Sequence, residues 1–505
     1  DGVTDAGTLK HLIENETKTI FPTSITTERP DKVVSSLLRG KTVIIIDNCP
    51  FVLIMPIDIN DFFLSQDDKD SNYINNSLTR ILRYLAFFIT ILTPGIYIAL
   101  TTFNQEMIPL ELLTSFASQR STVPFPAFFE ALLMFVSFEI LRESDYRIPN
   151  VSNSALSIVG ALILGEAAVN AGIVSPIMII IVAITAISAL VIVEPELSNA
   201  IKWYRILFML GGTTIGIFGI FIVFIIFTTN LCSINSYGKS FTMPFTPIDS
   251  DIKNSIIKFP LLKRNKRNKY LTNNIIMKRI KFLILLLPLL SGCYNYRELN
   301  ELGITTAVSI DYKDNNFYVI AEVINPIKQQ DASSSNNSPF VNYNSSSSSL
   351  QDAFRKVVLE SPRQLYAAQL EIIVLSEEVV NNHLEEVLEY FARDPESRTE
   401  IKIIVAKTED STKAITLQTL LTSLSSSNII KSLDLQSKVL GMAYPVTLNE
   451  LLNMYIDPYL EVVLPSMTLY GNYEIGDEKE NITTSSPKAI VKIDGSTITK
   501  DNKIL

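Results

Sequence analysis

Apolar and polar positions divide the chain into three territories. Residues 1–79 are mixed. "DKVVSSLLRG" has helical spacing and is closed by Gly40, and "KTVIIIDNCPFVLIMPI" places two short β-branched runs, Val43–Ile46 and Phe51–Met55, on either side of Asp47-Asn48-Cys49-Pro50. A helix followed by a hairpin or sheet core is the expectation for this small α/β fragment. Residues 80–232 carry the hydrophobic mass. A bilayer span needs about 20 apolar residues, and Ile81–Leu100, Ala155–Gly172, Pro176–Val193 and Ile206–Phe227 are four candidates. Phe125–Leu141 is a weaker fifth, because Glu130 and Glu139 lie within it. Each carboxylate in a lone span would cost about 2.5–3.5 kcal/mol on insertion scales. The expectation is therefore a re-entrant, interfacial or protein-packed helix there, preceded by the amphipathic "EMIPLELLTSFASQR".

Residues 294–505 turn polar again. "ITTAVSI", "FYVIAEVI" and "EIIVLS" have the length and patterning of strands, and "LQDAFRKVVLES" and "VVNNHLEEVLEYFARD" that of helices. The Ser/Asn-rich stretch 333–349 reads as a flexible surface loop, since it offers little to bury. The fold class expected is mixed: an α-helical transmembrane bundle flanked by a small α/β cytoplasmic fragment and an exported α/β (α+β) domain.

Charge then orients the bundle. Arg80 and Arg83 precede the first span, and Lys263, Arg264, Lys266, Arg267 and Lys269 follow the last, within the segment 233–276. Cytoplasmic flanks carry excess Lys and Arg, so both ends lie inside and the number of crossings is even. Four spans satisfy this. The chain is 47% hydrophobic with a net charge of −9, which argues against a nucleic-acid surface. Three cysteines, Cys49, Cys232 and Cys293, have neither metal-ligand spacing nor an even count for a disulfide framework. His11 and His383 are the only histidines, which makes histidine-based catalysis or a multi-histidine metal site poor readings. Cys49 reads as a packed or turn cysteine. Residue 1 is Asp, so a cut or incomplete amino terminus is expected.

A further signal sits past the midpoint. Met277, Lys278, Arg279 and Lys281 lead into the apolar run Phe282–Leu290, and Leu290-Ser291-Gly292-Cys293 follows. A basic region, a short apolar core and small residues before a cysteine make a lipoprotein signal, 277–293. The Cys293 thiol would become a diacylglycerol thioether and, after cleavage, its amine could be acylated. Two or more acyl chains give stable anchoring.

"ILTPGIYIALTTFNQEMIPLELLTSFASQRSTVPFPAFFEALLMFVSFEILRES" and "SIVGALILGEAAVNAGIVSPIMIIIVAITAIS" resemble the membrane region of the A subunit of GerA-type spore germinant receptors, and "TERPDKVVSSLLRGKTVIIIDNCPFVLIMPI" resembles the end of that subunit's cytoplasmic domain. The family's "SPEDYY"-like segment is altered here to "SQDDKDSNYI". "LLSGCYNYRELNELGITTAVSIDY", "ESPRQLYAAQLEIIVLSEE", "LEYFARDPESRTEIKIIVAK" and "YPVTLNELLNMYIDPYLEVVLPSMTLYG" resemble the C-subunit lipoprotein, with Tyr294 where that family usually has Trp. The mid-chain signal is thus expected because two subunits, usually encoded side by side, are joined. A genuine fusion, loss of a stop codon and a translated fragment are all open; the missing ends of both subunits favour an incomplete reading.

The resemblance implies a spore germinant receptor in the spore inner membrane, with residues after 293 on the outer face. The A-like part would contribute to a nutrient-gated ion channel and oligomerise with copies of itself. Partners would be a B-type nutrient-binding subunit, full A and C subunits, and membrane lipid. Neither enzyme activity nor a cofactor is expected beyond acyl chains on Cys293. Glu166 and Asn170, four residues apart and so on one helical face, join Glu130 and Glu139 as candidates for lining a cation route, since intramembrane ionisable groups usually face a bundle interior or water. A structural hydrogen bond or an interfacial position is the alternative for Glu166. Gly160, Gly165 and Gly172 permit close helix packing. "GGTTIGIFG", residues 211–219, lacks the strand and lysine of a phosphate loop and suits packing instead. Arg363, Arg393 and Asp394 lie in family-like stretches and suit fold or subunit contact. Two other classes are a non-conducting scaffold for receptor assembly and a secondary transporter; the latter would show repeated, broken spans, and no convincing repeat is present.

Overall fold

The computed structural model describes residues 5–14, 19–65, 68, 72–147, 165–245, 297–326, 338–408, 411–419, 422–457, 459–472, 476–477, 481, 487–500 and 503–504. Cys293, the lipoprotein signal and the basic tail lie outside them. The chain forms two compact units. One comprises 1–105 and 124–296, the other 106–123 and 297–505.

The first unit begins with α1 (Ala6–Glu14), β1 (Ile25–Thr27), α2 (Pro30–Leu38), β2 (Thr42–Ile45) and β3 (Val52–Met55). The expected helix and hairpin are both present. Gly40 follows α2 at φ +88°, a conformation that suits glycine. β2 pairs antiparallel with β3, and Asn48 takes the positive φ that the turn between them requires. β1 adds to the other edge of β3.

Apolar helices follow. α3 (Tyr73–Thr102) is, among the described residues, the helix long and apolar enough to cross a membrane. α4 (Leu110–Arg120) belongs to the second unit. α5 (Ala127–Arg147), a helical stretch at 165–170, α6 (Pro176–Leu190), α7 (Pro195–Ile215) and α8 (Ile217–Ser233) complete the bundle. α6 and α8 are apolar but shorter. The run 206–227 is not one helix. Gly216 adopts φ +66° between α7 and α8, where an added Cβ would meet Phe103 Cβ at 2.7 Å and Asn104 Oδ1 at 2.8 Å. Its freedom from side-chain sterics lets the chain reverse against the end of α3.

Contacts fix the direction of each helix. The starts of α3 and α7 and the end of α8 all meet the polar fragment. Arg83 Nη1 and Nη2 donate to Asp68 at 2.8 and 2.9 Å. Lys10 pairs with Glu196, and Lys32 with Glu194. Beyond α8, the short strands β4 (Asn235–Ser236) and β5 (Lys239–Ser240) pair antiparallel, Ser236 Oγ donates to the Thr23 carbonyl at 2.8 Å and Ile59 N–H to the Phe241 carbonyl at 2.7 Å. α3 and α7 therefore run parallel and α8 returns. Between α3 and α7 the backbones nearly touch: a Cβ added at Gly212 would lie 2.6 Å from the Gly95 carbonyl oxygen, and one at Gly95 2.8 Å from that of Phe208. Small residues allow this approach where no hydrophobic drive separates helix from lipid. Pro94, inside α3, sits beside the same seam.

The second unit holds an extensive mixed sheet: β6 (Leu302–Lys313), β7 (Asn316–Ile324), β8 (Phe340–Ser347), β9 (Gln364–Tyr366), β10 (Ile372–Ser376), β11 (Lys402–Ala406), β12 (Val446–Thr447), β13 (Val463–Gly471), β14 (Ala489–Lys500) and β15 (Lys503–Ile504). The order is β15-β14-β13-β11-β10-β6-β7-β8, with β12 on β11 and β9 on β6. The central pairs β6–β10, β10–β11 and β11–β13 are parallel; the outer ones are antiparallel. Both faces are covered, as the continuous apolar character of β10 and β11 requires. Ile373, Leu375, Ile403 and Val405 pack with α9 (Leu350–Lys356), α10 (Glu377–Asn382), α11 (Leu384–Arg393) and α13 (Leu448–Ile456), whereas α12 (Ser425–Val439) lies between α11 and α13 in the sequence. Ile372, Val374, Ile404 and Ala406 pack with Ile429 and Leu433 of α12. The unit is thus α/β in three layers.

Two further expectations are corrected. The Ser/Asn-rich stretch is not a loop across 340–347: β8 pairs residue by residue with β7, and serines serve an exposed sheet edge well because the ladder is made by backbone. The helix expected over 379–394 breaks at His383, whose φ of −133° separates α10 from α11.

Candidate functional site

The polar residues of the bundle collect along α5 and its neighbours. α5 is one continuous helix packed against α3, α6 and α7. One side of it is packed on protein, and Phe129, Val136 and Ile140 are exposed on another. Glu130, 1% exposed, accepts a hydrogen bond from Ser175 Oγ at 2.9 Å. Ser175 is the residue before α6, so the carboxylate faces a helix amino terminus, where negative charge is favoured.

Nine residues further, roughly 13 Å along the axis, Glu139 accepts from Arg142 Nη2 at 2.9 Å and pairs with Lys202 of α7. Arg142 also donates to Asn199 Oδ1 at 3.1 Å. Between these two clusters the Arg205 guanidinium lies 4.0 Å from the centroid of the Phe135 ring, a cation–π contact that suits a desolvated cation. Arg205, Glu139, Lys202 and Arg142 thus form a charged seam between α5 and α7, while Glu130 is turned to the start of α6. The carboxylates that weighed against burying 125–141 are each compensated.

Sequence reading reached Glu130 and Glu139 but not Lys202 or Arg205. It began the last span at Ile206, whereas the helix begins at Pro195. A clue was available: Lys202 and Arg205 stand three residues apart immediately before an apolar run, with Trp203 between them. Glu166 and Asn170 do not join the seam. Both are exposed on the helical stretch 165–170, whose Gly165 lies against Ile179 of α6. The four candidate residues therefore do not share one site: Glu130 is buried beside the start of α6, Glu139 is part-exposed beside Lys202, and Glu166 and Asn170 are exposed on the stretch 165–170. Among the described residues no group of three or more His, Cys, Asp or Glu could hold a metal ion.

A second charged cluster anchors α3 to the polar fragment. Asp68, buried, pairs with Arg80 and Arg83, and Tyr84 donates to Asn60 Oδ1 at 2.8 Å. Beside it, Asp58 and Asp61 cap one another across a short turn. Burial, then the neighbouring Asp61 charge, pushes the Asp58 carboxyl up to about 7. Burial would also raise Asp61, but the nearby Lys41 and Arg39 charges outweigh it and hold that carboxyl below its usual range.

The comparisons with known proteins also divide the chain in two. Residues 1–270 match the family described as "Bacillus/Clostridium GerA spore germination protein". The chain belongs to the GerA spore germination family. Residues 295–469 match a second model, "Spore germination protein N-terminal domain". The GerA-like part is 45% identical over 268 residues to "Spore germination protein KA" of Bacillus subtilis (strain 168), covering 53% of this chain and 49% of that protein. It is 38% identical over 268 residues to "Uncharacterized membrane protein YfkQ" of the same strain, covering 53% and 52%. It is 36% identical over 268 residues to "Spore germination protein B1", also from that strain, covering 53% and 56%. The chain spans about half the length of the curated relatives it matches. No solved structure matches it significantly.

Proposed function

We propose that this chain is a membrane component of a nutrient germinant receptor in the spore inner membrane. Its GerA-like part contributes to a nutrient-gated ion channel, and its second part is an outer-face lipoprotein subunit anchored through acyl chains on Cys293. The observation that carries the reading is the presence of two spore germination matches, 1–270 and 295–469, on one chain, with a lipobox cysteine between them. Nutrient recognition falls to a B-type partner subunit, and full A and C subunits complete the assembly.

In this reading the polar fragment is cytoplasmic, in keeping with Arg80 and Arg83 at the start of α3. α5 crosses the bilayer, because its two carboxylates are compensated. α3, α5, the segment holding 165–170, α6, α7 and α8 then make six crossings, which keeps both basic flanks inside as four would. The ion route forms between copies of the chain: Glu166 and Asn170 are exposed on one copy, and an ionisable group at membrane depth is costly against lipid. A non-conducting scaffold is the second reading, favoured by the pairing of Glu130 with Ser175 and of Glu139 with Lys202. Spores lacking this chain, with and without complementation, test the receptor role. Loss of nutrient-triggered germination that the intact chain restores supports it; unaltered germination on every nutrient tried would refute it.

A further inference from the structure

The loop between α3 and α5 belongs to the GerA match, yet it folds with the other half of the chain. Residues 106–123 and 297–505 form one compact unit. α4 packs against the short turn Leu299–Glu301, and Leu299 is fully buried. On α4, Leu113, Thr114, Ala117 and Ser118 are buried; their spacing places them on one face. Sequence alone suggested that this amphipathic stretch suited a membrane interface. The structure turns its buried face to protein.

Polar contacts fix the register. Arg120 Nη2 donates to Glu298 Oε2 at 2.9 Å, with side chains 2% and 7% exposed. Gln369 Nε2 donates to the Ile108 carbonyl at 3.4 Å, and Arg398 Nη2 to the Glu106 carbonyl at 2.6 Å. Each contact joins a residue of the first family match to one of the second. A buried ion pair is strongly destabilising when one partner is removed, because the other charge is left uncompensated. Arg120 at the end of α4 therefore marks a surface shaped for an acidic partner. We propose that 106–123 is the docking element by which an A-like membrane subunit holds the first domain of its C-type lipoprotein, with Arg120–Glu298 as the central pair. This rests on the outer-face assignment proposed above, since both partners must lie on one side of the membrane.

The test uses the full chain, with an amino-terminal affinity tag and a protease site inserted between Asn268 and Lys269. After extraction in mild detergent and cleavage, capture on the tag should retain the carboxy-terminal half. Arg120→Glu or Glu298→Arg alone should cut retention more than about tenfold, and the double variant Arg120→Glu/Glu298→Arg should restore it. Unchanged retention in the single variants would overturn the proposal. A second measurement guards against misfolding of the charge variants: Ile108→Cys with Gln369→Cys, in a chain with Cys49→Ser and Cys232→Ser, should be joined by a short bis-maleimide. Failure to join them would also overturn it. Neither measurement reads germination, so the result is separable from the receptor role.

Discussion

Gly212→Ala tests the packing at the heart of the bundle. An added Cβ would stand 2.6 Å from the Gly95 carbonyl oxygen, whereas ordinary contact begins at 3.4 Å, so α3 and α7 must part by about 0.8 Å. The obstacle is backbone on a neighbouring helix, which no rotamer change can relieve. A gap of 0.5–1 Å forfeits roughly a quarter to a half of each affected dispersion contact, and overpacking of this kind costs about 1–3 kcal/mol. Against that, alanine gains up to about 1 kcal/mol of helix propensity over glycine. Gly165→Ala is the internal control: it gains the same propensity, but its Cβ meets Ile179 Cδ1 at an unstrained 3.7 Å. Trp203, the chain's one tryptophan, lies on α7 and reports the transition by fluorescence during SDS titration of the detergent-solubilised chain. Gly212→Ala should be less stable than Gly165→Ala by about 1–3 kcal/mol. Equal or higher stability of Gly212→Ala would refute the close α3–α7 approach.

Three further outcomes follow from the structure and the proposed topology. Asp58 keeps its proton to about pH 7 in the folded fragment against 3.8 when unfolded, so folding stability should fall as pH rises from about 4 to 7; Asp58→Asn, which retains an oxygen for the Asp61 N–H, should flatten that slope in hydrogen exchange of β2 and β3, and a slope unaltered by the substitution would exclude Asp58 as its source. Asp61 has the opposite sense, its contribution being lost only as pH drops below its usual range. If α5 crosses, cysteines placed at Thr122 and Ser144 should be labelled from opposite sides of the membrane; labelling from one side would return 125–141 to a re-entrant or interfacial position. Cys293→Ala should abolish lipid labelling, and an unmodified peptide spanning Leu290–Arg297 in the unsubstituted protein would sink the lipoprotein assignment.

How much was legible in sequence depended on whether the deciding force was local. α2 with Gly40, the β2–β3 hairpin and the strands β6, β7 and β10 are written in short-range periodicity and turn residues, and were readable. The break at Gly216 was not, because a glycine in an apolar run also suits helix packing; only Phe103 and Asn104, more than a hundred positions away, make a chain reversal there favourable. β8 was missed because its strand identity comes from pairing with β7 rather than from its serines. At the site, Glu130 and Glu139 stood out as charges in an apolar run, but their compensation by Ser175 and Lys202 depends on tertiary contact. Arg120 looked like the end of an interfacial helix, since its partner Glu298 is distant in sequence and belongs to a different family match.

The channel reading rests on Glu166, exposed on the bundle and outside the α5–α7 seam. The direct measurement is ion release after nutrient addition in spores carrying Glu166→Ala together with the partner subunits, at receptor abundance matched to the unsubstituted chain by immunoblot. Release should change in rate or extent while abundance stays normal. Unchanged release at normal abundance would remove Glu166 from the ion route and favour the scaffold; loss of abundance would make Glu166 a structural residue and contradict its place in the route.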